Sequence, residues 1–144
     1  MFTIAVCDDD MQERMQEVQI VKNIFSQKEL EAGIEEFQTG QHFLDVLHRV
    51  PYDIVLLDIQ MGEVSGFTLA EELYKITGGE NIIFVSSMEN LVFESIHFRP
   101  FRFVRKSHLE EELTEAVESW IQQNTKTECL EFDETGGVTT CLLY

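Results

Sequence analysis

Three consecutive carboxylates, Asp8, Asp9 and Asp10, close the apolar N-terminal run of a chain that already holds 27 acidic residues against 10 basic ones, a formal charge of -17. A further acid, Asp58, ends the run DIVLLD, the hydroxyls of Ser86 and Ser87 end NIIFVSS, and Lys106 ends FRFVRK. Like charges a few ångströms apart raise one another's pKa, so carboxylates brought together in this way call for a cation. All-oxygen ligation with several retained waters suits Mg²⁺, and Asp9, Asp58 and one backbone carbonyl from the following loop make up a usual protein share. Metal, hydroxyl and ammonium around one carboxylate suit a transferable phosphoryl group, because such transfer relies on positioning and charge neutralisation. In this reading Asp58 is the nucleophile. Mg²⁺ and Lys106 neutralise the phosphoryl oxygens, and the Ser86 hydroxyl donates to one of them.

These residues meet only if the chain folds to bring strand ends together. Five short runs rich in β-branched residues, TIAVC, GIEEFQT, DIVLL, NIIFVS and FRFVR, alternate with segments of helical period. That alternation predicts an α/β protein, a doubly wound five-stranded parallel sheet with covering helices. In such sheets the carboxyl ends of strands line one crevice, and the order 2-1-3-4-5 makes the first and third runs neighbours. The first helix is predicted from the spacing of Met11, Met15, Val18, Val21 and Phe25, with Asp10 and Glu13 as an N-cap pair. The second spans Gln41 to about Arg49, the third carries Leu69, Ala70, Leu73 and Ile76 and stops at Gly78, and the fourth follows Met88 with Leu91, Val92 and Ile96 as apolar positions. Ser107 and Glu110 read as a capping box at the start of the fifth, whose stripe is Leu109, Leu113, Ala116, Val117, Trp120 and Ile121.

Length and composition bound the rest. With 144 residues and 44% hydrophobic content, one globular core is expected, followed by a tail in which two strands flank a Gly136-Gly137 turn. The acidic balance disfavours non-specific attraction to nucleic acid or to an anionic membrane. The absence of a long apolar run and of a signal sequence leads to the expectation of a soluble, cytoplasmic protein. Cys7, Cys129 and Cys141 lack metal or redox spacing and read as free thiols; His42, His48, His97 and His108 suggest no metal site.

The ordered set AVCDDD, DIVLLDIQMGEVSG, IIFVSS and FRFVRK resembles the receiver domain of a two-component response regulator, over residues 1 to about 124. Each piece alone is weak, and their order is what carries the likeness. The resemblance implies a (βα)5, flavodoxin- or CheY-like fold and a phosphoacceptor, Asp58, supplied by a sensor histidine kinase. It also implies that Asp9 is a direct Mg²⁺ ligand, that Asp8 acts largely through water and that the Gln60 carbonyl is the backbone ligand. Ser86 takes the place of the switch hydroxyl, Phe103 that of the switch aromatic, and Lys106 that of the phosphate-contacting lysine. Two positions depart from the family pattern: Gly62 and Ser107 stand where receivers usually have proline. Residues 125 to 144 resemble a linker and the opening strands of a LytTR-type DNA-binding domain, truncated at Tyr144, so DNA binding is expected only through a domain that the chain lacks.

The expected outcome of phosphorylation is a switch: Ser86 and Phe103 move toward the site and reshape the face made by the fourth helix, fifth strand and fifth helix. That face is a candidate for homodimerisation, with Arg99, Arg102 or Arg105 meeting Glu89, Glu94 or Glu111 of a second copy, against the plainer reading of a solvated, salt-bridged edge. A competing class is a small phosphatase of the haloacid-dehalogenase type, with Asp8 as nucleophile and Asp10 as acid/base. The missing hydroxyl two residues after Asp10 and the lack of an acidic pair after the fourth run speak against it.

Overall fold

The computed structural model describes residues 1–125 and, beyond them, the backbone of 127–129 and 141–143. Five strands, β1 (Phe2–Cys7), β2 (Ala32–Phe37), β3 (Ile54–Leu57), β4 (Ile82–Ser86) and β5 (Arg102–Arg105), form one parallel sheet in the order β2-β1-β3-β4-β5. Each is the run foreseen for it. The helices are α1 (Met11–Gln27), α2 (Gly40–Val46), α3 (Gly66–Thr77), α4 (Val92–Ile96) and α5 (Leu109–Asn124), with 3-10 turns at Glu89–Leu91 and Lys106–His108.

Alternation along the strands sorts the core into two layers. Ile4 and Val6 with Ile54, Leu56, Ile83, Val85 and Val104 face α1 and α5, where Val21, Ile24, Phe25, Leu113, Val117 and Trp120 cover them. Ala5 and Cys7 with Val55, Leu57, Ile82 and Phe84 face α2 and α3, meeting Phe43, Leu47, Leu69 and Leu73. Strands buried on both faces explain why DIVLL and NIIFVS are almost wholly apolar.

Five helical details differ from expectation, the first being that α2 ends at Val46, short of the Arg49 foreseen for it. The buried stripe of α1 is centred between Glu17 and Val21, so Met11 and Met15, a quarter turn or more away, are 61% and 59% exposed. Ile76, in the last turn of α3 before the left-handed cap at Gly78, is also largely exposed. The short α4 buries Ser95, leaves Leu91 and Val92 half-buried and exposes Phe93 and Ile96. The capping box does not form: Ser107 enters the 3-10 turn and its hydroxyl meets the His108 ring, so α5 starts two residues later, at Leu109. The tail strands, β6 (Thr127–Cys129) and β7 (Cys141–Leu143), pair antiparallel as foreseen. The Gly136-Gly137 turn and the thiols of Cys129 and Cys141 lie outside the described residues.

Candidate functional site

The strand order reverses between β1 and β3, and parallel register then sets the level of each tip. Cys7 pairs with Leu57, and Leu57 with Phe84, so Asp8 and Asp58 leave neighbouring strands at the same height. Backbone bonds hold them there: the Asp8 N–H donates to the Phe37 carbonyl at 3.1 Å and the Asp58 N–H to the Cys7 carbonyl at 2.9 Å. Ser86 pairs with Arg105, which delivers Lys106 to the same rim one residue later. Behind Asp58, Gly66 donates its N–H to the Ile59 carbonyl at 2.8 Å, and a Cβ at Gly66 would lie 2.3 Å from the Asp58 carbonyl oxygen. Only glycine lets the start of α3 come this close.

Lys106 joins the carboxylates. Its ammonium lies 2.9 Å from Asp8 Oδ2 and 3.2 Å from Asp58 Oδ2, and pairs with Glu13 of α1 as well. The protein's own cation therefore stands among the clustered acids. One oxygen each of Asp8, Glu13 and Asp58 lie within 4.8 Å of one another, and the buried Asp8 Oδ2 has no hydrogen bond of ordinary geometry. An all-oxygen donor set with a buried, under-bonded carboxylate atom fits a hard divalent cation such as Mg²⁺.

Burial raises the Asp58 carboxyl to about 6; the Lys106 ammonium opposes the rise and the Asp8 charge adds to it. Asp58 is thus largely ionised at neutral pH. Burial also penalises charge at Asp8, but the neighbouring Glu17 carboxyl, the hydrogen bond from the Asp10 N–H and the Lys106 ammonium outweigh it and hold Asp8 below the ordinary carboxylate range. Glu17 takes the opposite course: burial first, then the neighbouring Asp8, push it up to about 10. Its two oxygens are enclosed without a donor among the described residues, an environment that favours the neutral, protonated acid beside Asp8. Lys106 is raised above its ordinary value, because Glu13, Asp8 and Asp58 together outweigh its burial.

The residues read from the sequence fall into two groups. Asp8, Asp58 and Lys106 are in direct contact. Gln60 adjoins them, its N–H 3.3 Å from Asp58 Oδ1. Ser86 is buried at the tip of β4, where its hydroxyl accepts the Met88 N–H at 3.0 Å. Phe103 is half-buried, its ring 6.5 Å from that of Phe84. Asp9 stands apart: its side chain is exposed and lines a neighbouring groove with Met61, Gly62 and Val64. Gly62 has φ 74°, an angle the proline ring cannot adopt, so proline could not stand here without a change in the course of the loop. Glu13 and Glu17 were missed as site residues. Glu13 was legible only as a helix-start acid, and its side chain passes over that role to reach Lys106.

The phosphatase alternative needs an open Asp8 and a free Asp10. The Asp8 side chain is 0% exposed against 8% for Asp58, and Asp10 is engaged as the N-cap of α1, accepting the Glu13 N–H at 2.9 Å.

Comparison with known proteins agrees with this geometry. The family model described as the response regulator receiver domain matches residues 4–118. The sensory transduction protein LytR of Staphylococcus epidermidis is 24% identical over 91 residues, which span 61% of this chain and 36% of that protein. The chain thus matches little more than a third of that relative's length. Among solved structures, the response regulator protein TrrA of Thermotoga maritima, in complex with Mg²⁺ and BeF, is 26% identical with a TM-score of 0.62, over 83% of this chain and 99% of that one. The response regulatory domain of mrkE from Klebsiella pneumoniae is 18% identical with a TM-score of 0.69, over 85% of this chain and 100% of that one.

Proposed function

The chain belongs to the response regulator receiver domain family, and from that membership we propose that Asp58 is its phosphoacceptor, loaded by the phosphohistidine of a sensor histidine kinase. The observation that carries the reading is the Lys106 ammonium set between Asp8 at 2.9 Å and Asp58 at 3.2 Å on adjoining strand tips. In the transfer, an Asp58 carboxylate oxygen bonds to phosphorus as the phosphorus–nitrogen bond of the donor breaks. The released imidazole nitrogen takes its proton from solvent. Lys106 draws the phosphoryl oxygens by charge-assisted hydrogen bonds. Asp8, Asp58 and the Gln60 carbonyl would hold Mg²⁺, joined by Asp9 once its exposed side chain turns inward, with Asp8 acting largely through water. When bound, the ion supplies further neutralisation of the phosphoryl oxygens.

Ser86 gives up its bond to the Met88 N–H to donate to a phosphoryl oxygen, and Phe103 follows it inward. Together they alter the α4–β5–α5 face, which forms a homodimer or meets an output domain. A LytTR-type output, begun by residues 125 to 144, agrees with the likeness to LytR. Among the described residues no helix is long and apolar enough to cross a membrane, which accords with a cytoplasmic setting.

Acetyl phosphate with Mg²⁺ tests the assignment. Peptide mapping of the acyl phosphate should place it on Asp58, and Asp58→Asn should take none. Label on Asp8, or no label on the parent chain, would remove the proposal.

A further inference from the structure

Lys106 has three ammonium protons to give, and three carboxylates surround it: Asp8, Asp58 and Glu13. Glu13 differs from the other two. Asp8 and Asp58 stand on strand tips in the interior, whereas Glu13 belongs to the first turn of α1 and its side chain is 42% exposed. Its backbone is fixed by the Asp10 cap at 2.9 Å, while its carboxylate spans 93 positions of chain to reach Lys106.

A phosphoryl group on Asp58 brings anionic oxygens that need the same ammonium. The ammonium is already paired with all three carboxylates, and until Asp58 is esterified the incoming group has to share it, so one of these pairings must loosen. Asp8 is poorly suited to this, because its side chain is fully enclosed at the strand tip and cannot turn out into water. Glu13 can turn into water at little cost, as expected for a partly exposed pair. Resting on the phosphoacceptor reading above, we propose that Glu13 is a positioning residue that holds Lys106 in the resting state and competes with the incoming phosphoryl group for it. The α1 carboxylate thereby restrains the rate at which Asp58 is loaded.

Glu13→Gln keeps the size of the side chain and removes its charge. With phosphoramidate as donor and Mg²⁺ at saturation, the variant should form the Asp58 acyl phosphate about fivefold faster than the parent chain, the effect of freeing one partly exposed ion pair. Glu36→Gln takes the same charge from the Arg14 pair and serves as the control, with its rate unchanged. A purely structural part for Glu13 would slow loading. A part as metal ligand would weaken Mg²⁺ binding by about tenfold or more, read from the Mg²⁺ dependence of the same rate. Either result, an unchanged rate, or equal acceleration in the control overturns the proposal. A parent chain that takes no label at Asp58 defeats the phosphoacceptor reading itself, and this inference with it.

Discussion

Two carboxyl groups enclosed side by side, Asp8 and Glu17, are compatible with a stable fold only while one keeps its proton. Glu17 is that one, with its folded pKa pushed up to about 10 from an ordinary 4.5 by burial and by Asp8. A pKa raised on folding contributes stability that is whole below the unfolded value and is lost as pH rises through the folded one. The window therefore runs from about 4.5 to about 10, with the penalty growing throughout. Glu17→Gln supplies a neutral donor of the same shape without a proton to lose. In EDTA, its melting temperature should exceed that of the parent by about 4 °C or more at alkaline pH, and the gap should shrink as the buffer is brought down to pH 5.5. A gap that stays constant across this range would mean that Glu17 does not carry its proton in the fold. Nothing in MQEVQIVK singles out Glu17, since a glutamate in a mixed helical segment reads as solvent-facing. Asp8, Asp58 and Lys106 were legible because each ends an apolar run, and parallel register turns sequence position into spatial level. The reach of Glu13 across to Lys106 was not, because spacing reports which face a helical residue occupies and says nothing of where a long side chain ends.

At the scale of elements, the loop from Asp58 to α3 depends on two glycines for different reasons. Gly66 needs space: an added Cβ would fall 2.3 Å from the Asp58 carbonyl oxygen and 2.8 Å from Ile59 Cα. Gly62 needs its backbone angle, φ 74°, and has nothing within 4 Å of an added Cβ. Gly66→Ala must therefore displace the strand tip that carries Asp58 or the start of α3, an overpacking cost of about 2 kcal/mol. Gly62→Ala strains only its own loop, at about 1 kcal/mol. Urea unfolding should show the larger fall in midpoint for Gly66→Ala at unchanged slope, together with slower acyl phosphate formation. Equal midpoints would refute the close approach. The three inner strands were the most readable elements, since burial on both faces leaves an uninterrupted apolar run. Helix starts were less so: Ser107 and Glu110 have capping-box spacing, yet the chain leaves β5 through a 3-10 turn and Glu112 accepts the Arg105 N–H at 2.9 Å. Local pattern yields there to the geometry needed to aim Lys106 at the strand tips.

At the scale of the molecule, the proposed signal from Asp58 would have to leave through a face that another body can touch. Phe103 joins the two regions, packing on Phe84 within the sheet while lining a groove of about 430 Å³ with Val92, Arg102, Arg105 and Glu112. Beside that groove α4 exposes Phe93 by 82% and Ile96 by 58%, an apolar surface costly to leave in water. The charges around it already have partners within the chain: Arg102 with Glu115, and Arg105 with Glu112 and Glu89. Arg99 lines a different cavity, with Tyr52, Asn81 and Trp120. Salt bridges from these arginines to a second copy would have to displace internal ones, so in the proposed dimer burial of Phe93 and Ile96 would be the stronger source of affinity, with ion pairs setting the register. Phe93→Asp should accordingly keep the protein monomeric by light scattering when beryllium fluoride and Mg²⁺ are added, while leaving Asp58 labelling by acetyl phosphate intact. Arg102→Ala should weaken the dimer less. A parent chain that dimerises with beryllium fluoride equally well after Phe93→Asp would move the interface off α4, and loss of labelling in that variant would mean that Phe93 supports the phosphoacceptor site rather than the contact between copies.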